Sequence, residues 1–281
     1  MTIFLIKRKI LTIQPRPVMI VVMIEIKKTH GYRGMSSYRA SQVKQAGHDR
    51  ERQFTERLGL PPPIAGTDKN DAVLRNGESI SLKGGTRLQY QSLSPTSVKL
   101  DIIDAGERMR ACASLFQNCT RENKESLKRA LQPIMRELKD YLRSKGNQAN
   151  FVRQMLSLNK NGSHVDYLGI KELGSQVYHI FSMDDVVDVV VSHTEVENSK
   201  ARSYKQMDDQ KVIFRGDKGN IMELEVRKPS LSTRGTSFLC LGDKNKMLEL
   251  LIENIDSSIV SRDDERIKVI AYGSAISALT L

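Results

Sequence analysis

Asp71, Ser81 and Lys83 are residues whose types and spacing could do chemistry. Side chains in a strand alternate between faces, so in Ser79-Ile80-Ser81-Leu82-Lys83 the serines and the lysine share one face and Ile80 and Leu82 the other. Upstream, Asp71-Ala72-Val73-Leu74 reads as a partner strand, joined through Arg75-Asn76-Gly77-Glu78 as a hairpin. Opposed residues of an antiparallel pair lie on one face, so Asp71 joins Ser81 and Lys83 only if paired residue numbers have an even sum. A two-residue Asn76-Gly77 turn pairs Arg75 with Glu78 and sets Asp71 opposite Leu82, on the wrong face. A three-residue loop over 75–77, with Gly77 left-handed in a G1 bulge, pairs Leu74 with Glu78 and sets Asp71 opposite Ser81, diagonal to Lys83. The expectation is a positive φ at Gly77.

An Asp and a Lys on one face suit metal-dependent cleavage of a phosphodiester. The carboxylate holds Mg²⁺, which orients water and stabilises charge on the phosphate, while the ammonium positions the nucleophile or neutralises developing charge. One carboxylate is thin for Mg²⁺, and Glu51 is the candidate second. It lies four residues after Gly47 and three, four and seven before Phe54, Thr55 and Leu58, on the inward stripe of a helix read over Ser41–Leu58. A carboxylate facing inward is costly unless paired or bound to metal.

At these residues the chain resembles the PD-(D/E)xK nuclease superfamily, type II restriction endonucleases in particular. The resemblance spans about 40 residues: the helical His48-Asp49-Arg50-Glu51-Arg52-Gln53-Phe54, the strand-borne Asp71, and Ser81-Leu82-Lys83 followed by Gly84-Gly85. Asn70 stands where the motif has Pro, and Ser81 where it has its second acid. Replacement of that acid by Ser, with a Glu from elsewhere taking over the metal, is similar to a pattern known in some restriction endonucleases; Glu51, or failing it Glu107, fills that role here. The resemblance implies Asp71 and Glu51 as metal ligands, the Leu82 carbonyl as a third, Lys83 as the catalytic lysine and Ser81 within the site. It further implies a mixed α/β or α+β fold with a restriction-endonuclease-like core, a central mixed sheet flanked by helices. The expected partners are double-stranded DNA, a second copy in a two-fold homodimer, and a cognate DNA methyltransferase that is not a stable subunit. A structure-specific or repair nuclease of the same superfamily and a non-catalytic basic DNA-binding protein are the alternatives.

The elements that must position these residues follow from the rest of the chain. Gly59 and Pro61-Pro62-Pro63 close the first helix. Two helices are expected between Val98 and Ser144, with Pro133 as a kink point, and strands at Val165–Leu168, Val177–Phe181, Lys211–Phe214 and Ile221–Val226. Cys112 and Cys119, seven apart, are expected on one helical face as small hydrophobes. A second hairpin, with Asp217 before Glu225-Val226-Arg227, offers a rival half-motif, but Arg is a poor replacement for a catalytic Lys. That strand is better read as lying near the substrate, with Arg227, Lys228 and Arg234 in a basic loop on DNA.

The 281 residues, 39% of them hydrophobic and with a net charge of +11, are enough for one sizeable core and fit a polyanionic partner. Three cysteines without a C-x-x-C pair give no zinc pattern and point to a reducing cytoplasm. No G-x-S-x-G elbow, P-loop or glycine-rich nucleotide fingerprint occurs, which removes hydrolase triads and NTPases. Residues 1–34 carry Lys7, Arg8, Lys9, Arg16, Lys27, Lys28 and Arg33 against Glu25, with apolar runs too short to cross a bilayer and no signal-peptide pattern. They are expected to be an extension upstream of a start at Met35. Residues 35–281 then form a single domain, its half-motif within 47–85.

Overall fold

The strand-and-loop arithmetic of the first hairpin holds in the computed structural model, which describes residues 37–62, 69–85, 87–204, 206–227, 235–256, 260–264 and 267–279. Ala72 pairs with Ile80 and Val73 with Ser79, and Leu74 N–H donates to the Glu78 carbonyl at 2.8 Å. Every pair sums to an even number, the loop has three residues, and Gly77 has φ +90°. The burial of Ala72, Leu74 and Ile80 in one apolar cluster selects this register over the one that an Asn-Gly turn would favour. The stretch 1–34 and Met35 lie outside the described residues, and the account below concerns the unit Gly34–Leu281.

In chain order the elements are α1 (Ser37–Leu58), β1 (Ala72–Val73), β2 (Ser79–Lys83), β3 (Arg87–Leu93), a 3₁₀ turn (Val98–Asp101), α2 (Gly106–Leu115), α3 (Lys124–Leu142) and α4 (Lys145–Ser157). There follow β4 (Tyr167–Lys171), β5 (Val177–Ser182), α5 (Met183–Ser192), β6 (Glu195–Asn198), β7 (Lys211–Gly216), β8 (Gly219–Arg227), β9 (Ser237–Asp243), α6 (Lys244–Asn254), β10 (Val260–Asp264), β11 (Ile267–Ala271) and α7 (Ala275–Leu279). The fold is mixed α+β. One sheet is mixed, with strand order β1-β2-β4-β5-β11-β10; β2 with β4 and β5 with β11 run parallel, and the other pairs antiparallel. A second sheet, β3-β9-β8-β7-β6, is wholly antiparallel. The edges among the described strands are thus β1, β10, β3 and β6.

Local chemistry explains the helix ends. Leu60 N–H bonds to the Thr55 carbonyl and Gly59 N–H to the Glu56 carbonyl, with Gly59 at φ +62°, a Schellman close that only a glycine adopts cheaply. Ser182 Oγ caps α5 by accepting from Asp185 N–H. In α3, Leu131, Met135, Leu138 and Leu142 form the buried stripe, and the helix runs on through Pro133, whose lost donor sits on the exposed side. At the end of α4 the buried Lys69 and Lys99 donate to the carbonyls of Met155 (2.6 Å) and Leu158 (3.0 Å), satisfying acceptors that a helix C-terminus leaves open.

The strands expected at Lys211–Phe214 and Ile221–Val226 are β7 and β8 of the second sheet, whose remaining strands the sequence pattern did not announce. The strand expected at Val165–Leu168 is instead Tyr167–Lys171, and α4 follows α3 after a break at Arg143–Ser144. Cys119 lies beyond the end of α2, so it does not share a helical face with the buried Cys112.

Candidate active site

Asp71 sits just before β1 and faces Ser81 across the hairpin. Its Oδ2 accepts from Leu82 N–H at 2.6 Å and from Ser81 Oγ at 3.3 Å, and lies 3.8 Å from Lys83 Nζ. Asp71 and Lys83 retain only 14% and 17% of their side-chain exposure. Asp71 Oδ1 makes no hydrogen bond among the described residues. Burial, with the charge of Glu51 adding to it, pushes the Asp71 carboxyl up to about 6, although Lys83 and the Leu82 and Ser81 donors pull the other way.

Glu51 acts on Asp71 through its charge, from the helix packed on the other face of the sheet. By strand alternation Ile80, Leu82, Gly169 and Ile180 share one face, against which Phe54 of α1 packs; Ser81 and Lys83 issue from the opposite one. Gly169 makes the close packing possible, since a Cβ there would lie 2.6 Å from Leu82 Cδ2 and 3.0 Å from Ile180 Cδ1. At the end of β2 the two sides meet: Glu51, Leu82 and Lys83 line one small cleft together with Arg50, Lys171 and Tyr178. Glu51 is 19% exposed; its Oε2 meets His48 Nδ1 at 3.0 Å, and its Oε1 has no hydrogen bond among the described residues. Glu107 is exposed on the first turn of α2 and is not among the charges that shift Asp71, whereas Glu51 is.

The donor set fits Mg²⁺. The Glu51 charge adds to the cost of ionising Asp71, each of the two carboxylates keeps an oxygen outside the hydrogen-bond network among the described residues, and a cation relieves that repulsion. No group of three or more His, Cys, Asp or Glu side chains is arranged for a metal among the described residues. Mg²⁺ commonly takes only one or two carboxylates and keeps several waters. The N–H and C=O of one strand residue point to the same edge, so the Leu82 carbonyl faces the Asp71 edge as its N–H does.

Arg50 and Lys171 are site residues that the sequence did not single out. Lys171 follows Ile170, the partner of Lys83 in the parallel β2–β4 pair, and burial and the Arg50 charge lower its pKa. Burial, and then the Arg50 charge, also lower the Lys244 pKa. Arg50 flanks Glu51 in the chain and could have been flagged, whereas nothing in the spacing of Lys83 and Lys171 announces that their strands are neighbours.

The rival half-motif does not assemble. Asp217 occupies the two-residue turn between β7 and β8, while Glu225 lies near the far end of β8, paired with Lys211 at 2.7 Å and with Arg227 at 2.5 Å. Of the basic loop only Arg227 is described; Lys228 and Arg234 lie outside the described residues. Among the described residues no helix is long and apolar enough to cross a membrane. Compared with protein-family models, curated proteins and solved structures, the chain matches none of them.

Proposed function

We propose that this protein is a Mg²⁺-dependent endonuclease that cuts double-stranded DNA at a specific sequence, in the manner of type II restriction enzymes. The observation that carries the reading is the juxtaposition of Asp71 and Lys83 on one sheet face, with Glu51 felt at the same carboxylate. Ser81 and Leu82 N–H hold Asp71 Oδ2, which leaves Oδ1 and Glu51 Oε1 for the cation and fixes the carboxylate before substrate arrives. Mg²⁺, when bound, supplies Lewis-acid stabilisation of the phosphate and a more acidic bound water. Lys83 then neutralises charge that builds on the phosphate, and Arg50 and Lys171, lining the same cleft, are suited to hold its non-reacting oxygens. Cutting both strands of a palindrome favours a two-fold dimer, because symmetric subunits present matching sites. In such a system a separate methyltransferase would protect host DNA.

The test is incubation of the full chain with unmethylated phage DNA and Mg²⁺, beside Asp71→Ala and Lys83→Ala and an EDTA control. Discrete fragments from the wild type alone are expected. Fragments that persist with both variants, or no cleavage by any form, overturn the reading; random degradation that needs Asp71 and Lys83 would replace it with a structure-specific nuclease.

A further inference from the structure

The second sheet carries a cleft of about 540 Å³, lined by Arg87, Lys128, Lys200, Arg202, Lys211 and Arg215 with Glu223 as its acidic member. A neighbouring cleft of about 280 Å³ shares Arg87, Arg202, Arg215 and Glu223 and extends towards Lys246. The floor is fixed by ion pairs: Lys211 bonds Glu223 and Glu225, Arg87 lies 3.8 Å from Glu223, and Arg215 holds Glu197.

The segment between β6 and β7 sorts its charges. Asp209, at φ +55°, donates its N–H to the Ser199 carbonyl and closes the loop. Its carboxylate binds Arg136 of α3 at 2.8 Å, Gln132 and Gln210 donate to the Asp208 carbonyl, and Asp208 Oδ1 accepts from Ala201 N–H. The acids are thus consumed by the scaffold. Lys200 and Arg202, on the other limb, line the cleft and make no ion pair among the described residues. Tyr204, 92% exposed, stands beside them.

We propose that this trough is a binding surface for nucleic acid, gripping the phosphodiester backbone with Lys200, Arg202, Lys211 and Arg215. Lys211 and Arg215 lie four residues apart on one face of β7, about 13 Å at the rise of a strand, so a ligand that engages both must carry anionic groups in series. A nucleic-acid backbone does so. The inference deepens the nuclease reading by giving it a substrate contact, yet it stands on residues separate from Asp71, Glu51 and Lys83.

The experiment measures binding of a fluorescent 30-base-pair duplex in EDTA, at stepped salt, to the full chain and to Lys200→Ala/Arg202→Ala and Lys268→Ala. Lys268 is an exposed cation on the other sheet and serves as the charge control. Loss of two phosphate contacts should weaken binding on the order of tenfold or more near 0.1 M salt and lower the salt slope by about 2. Lys268→Ala should bind like the wild type. Unchanged affinity and slope in the double variant, or a loss no larger than that of Lys268→Ala, overturns the proposal. If cleavage still depends on Asp71 in that case, the nuclease reading survives it; if the double variant loses binding while the wild type cuts nothing, the trough survives alone.

Discussion

Asp71 titrates inside the range of ordinary buffers, because burial and Glu51 push its carboxyl up to about 6. In the unfolded chain the same group titrates near 4, so between about pH 4 and pH 6 the folded protein keeps a proton that the unfolded chain releases. Raising the pH through that window therefore costs the folded state stability, up to about 3 kcal/mol for a shift of two units. Urea unfolding of the metal-free protein should show this loss relative to Asp71→Asn, which lacks the titration; parallel pH profiles for the two proteins would contradict it. The proton also competes with the cation, so affinity for Mg²⁺ should fall roughly tenfold per pH unit below about 6. Lys83 holds the Asp71 value down, so calorimetric titration of Lys83→Ala should move the onset of metal binding to higher pH, and an unmoved onset would separate the two side chains.

The hairpin shows how an element positions chemistry. Gly77 at φ +90° has no atom within 4 Å of where a Cβ would stand, so Gly77→Ala meets only backbone strain, about 1–2 kcal/mol, and should lower Tm by roughly 2–6 °C. The same substitution weakens the loop that sets the parity of β1 against β2, so residual activity should fall further than stability explains; activity tracking stability alone would show that the loop does not set the register. Alternation, a countable loop and one glycine reduced this hairpin to two registers in the sequence, and the shared burial of Ala72, Leu74 and Ile80 decides between them. Glu51 was legible as an inward position, although not that it shares a cleft with Leu82 and Lys83 at the sheet end. The second sheet was only partly so: β3 alternates exposed and buried residues from Arg87 to Gln89 and breaks at a bulge before Gln91, and its partner β9 lies some 150 residues downstream. Lys171 joins the site through a parallel pairing, which local patterning does not encode. The gap between Asp217 and Glu225 likewise needed the length of β8 to become visible.

For the molecule as a whole, the proposed dimer predicts a light-scattering mass near twice the 31.7 kDa of one chain plus the mass of the DNA when the protein is bound to a short cognate duplex. A single copy per duplex would argue for nicking or for a different partner geometry. The two sheets end in strands that are poor templates for further pairing: β1 has two residues, β3 is interrupted by a bulge, β6 has four residues with Glu197 engaged by Arg215, and the sequence of β10 is Val-Ser-Arg-Asp-Asp. Two copies joining through these borders into one continuous sheet would find few backbone groups to zip together. Self-recognition is then left to helices and loops, and a stock kept concentrated or warmed gently should lose activity by melting into amorphous material, without a lag phase and without seeding fresh protein into fibrils.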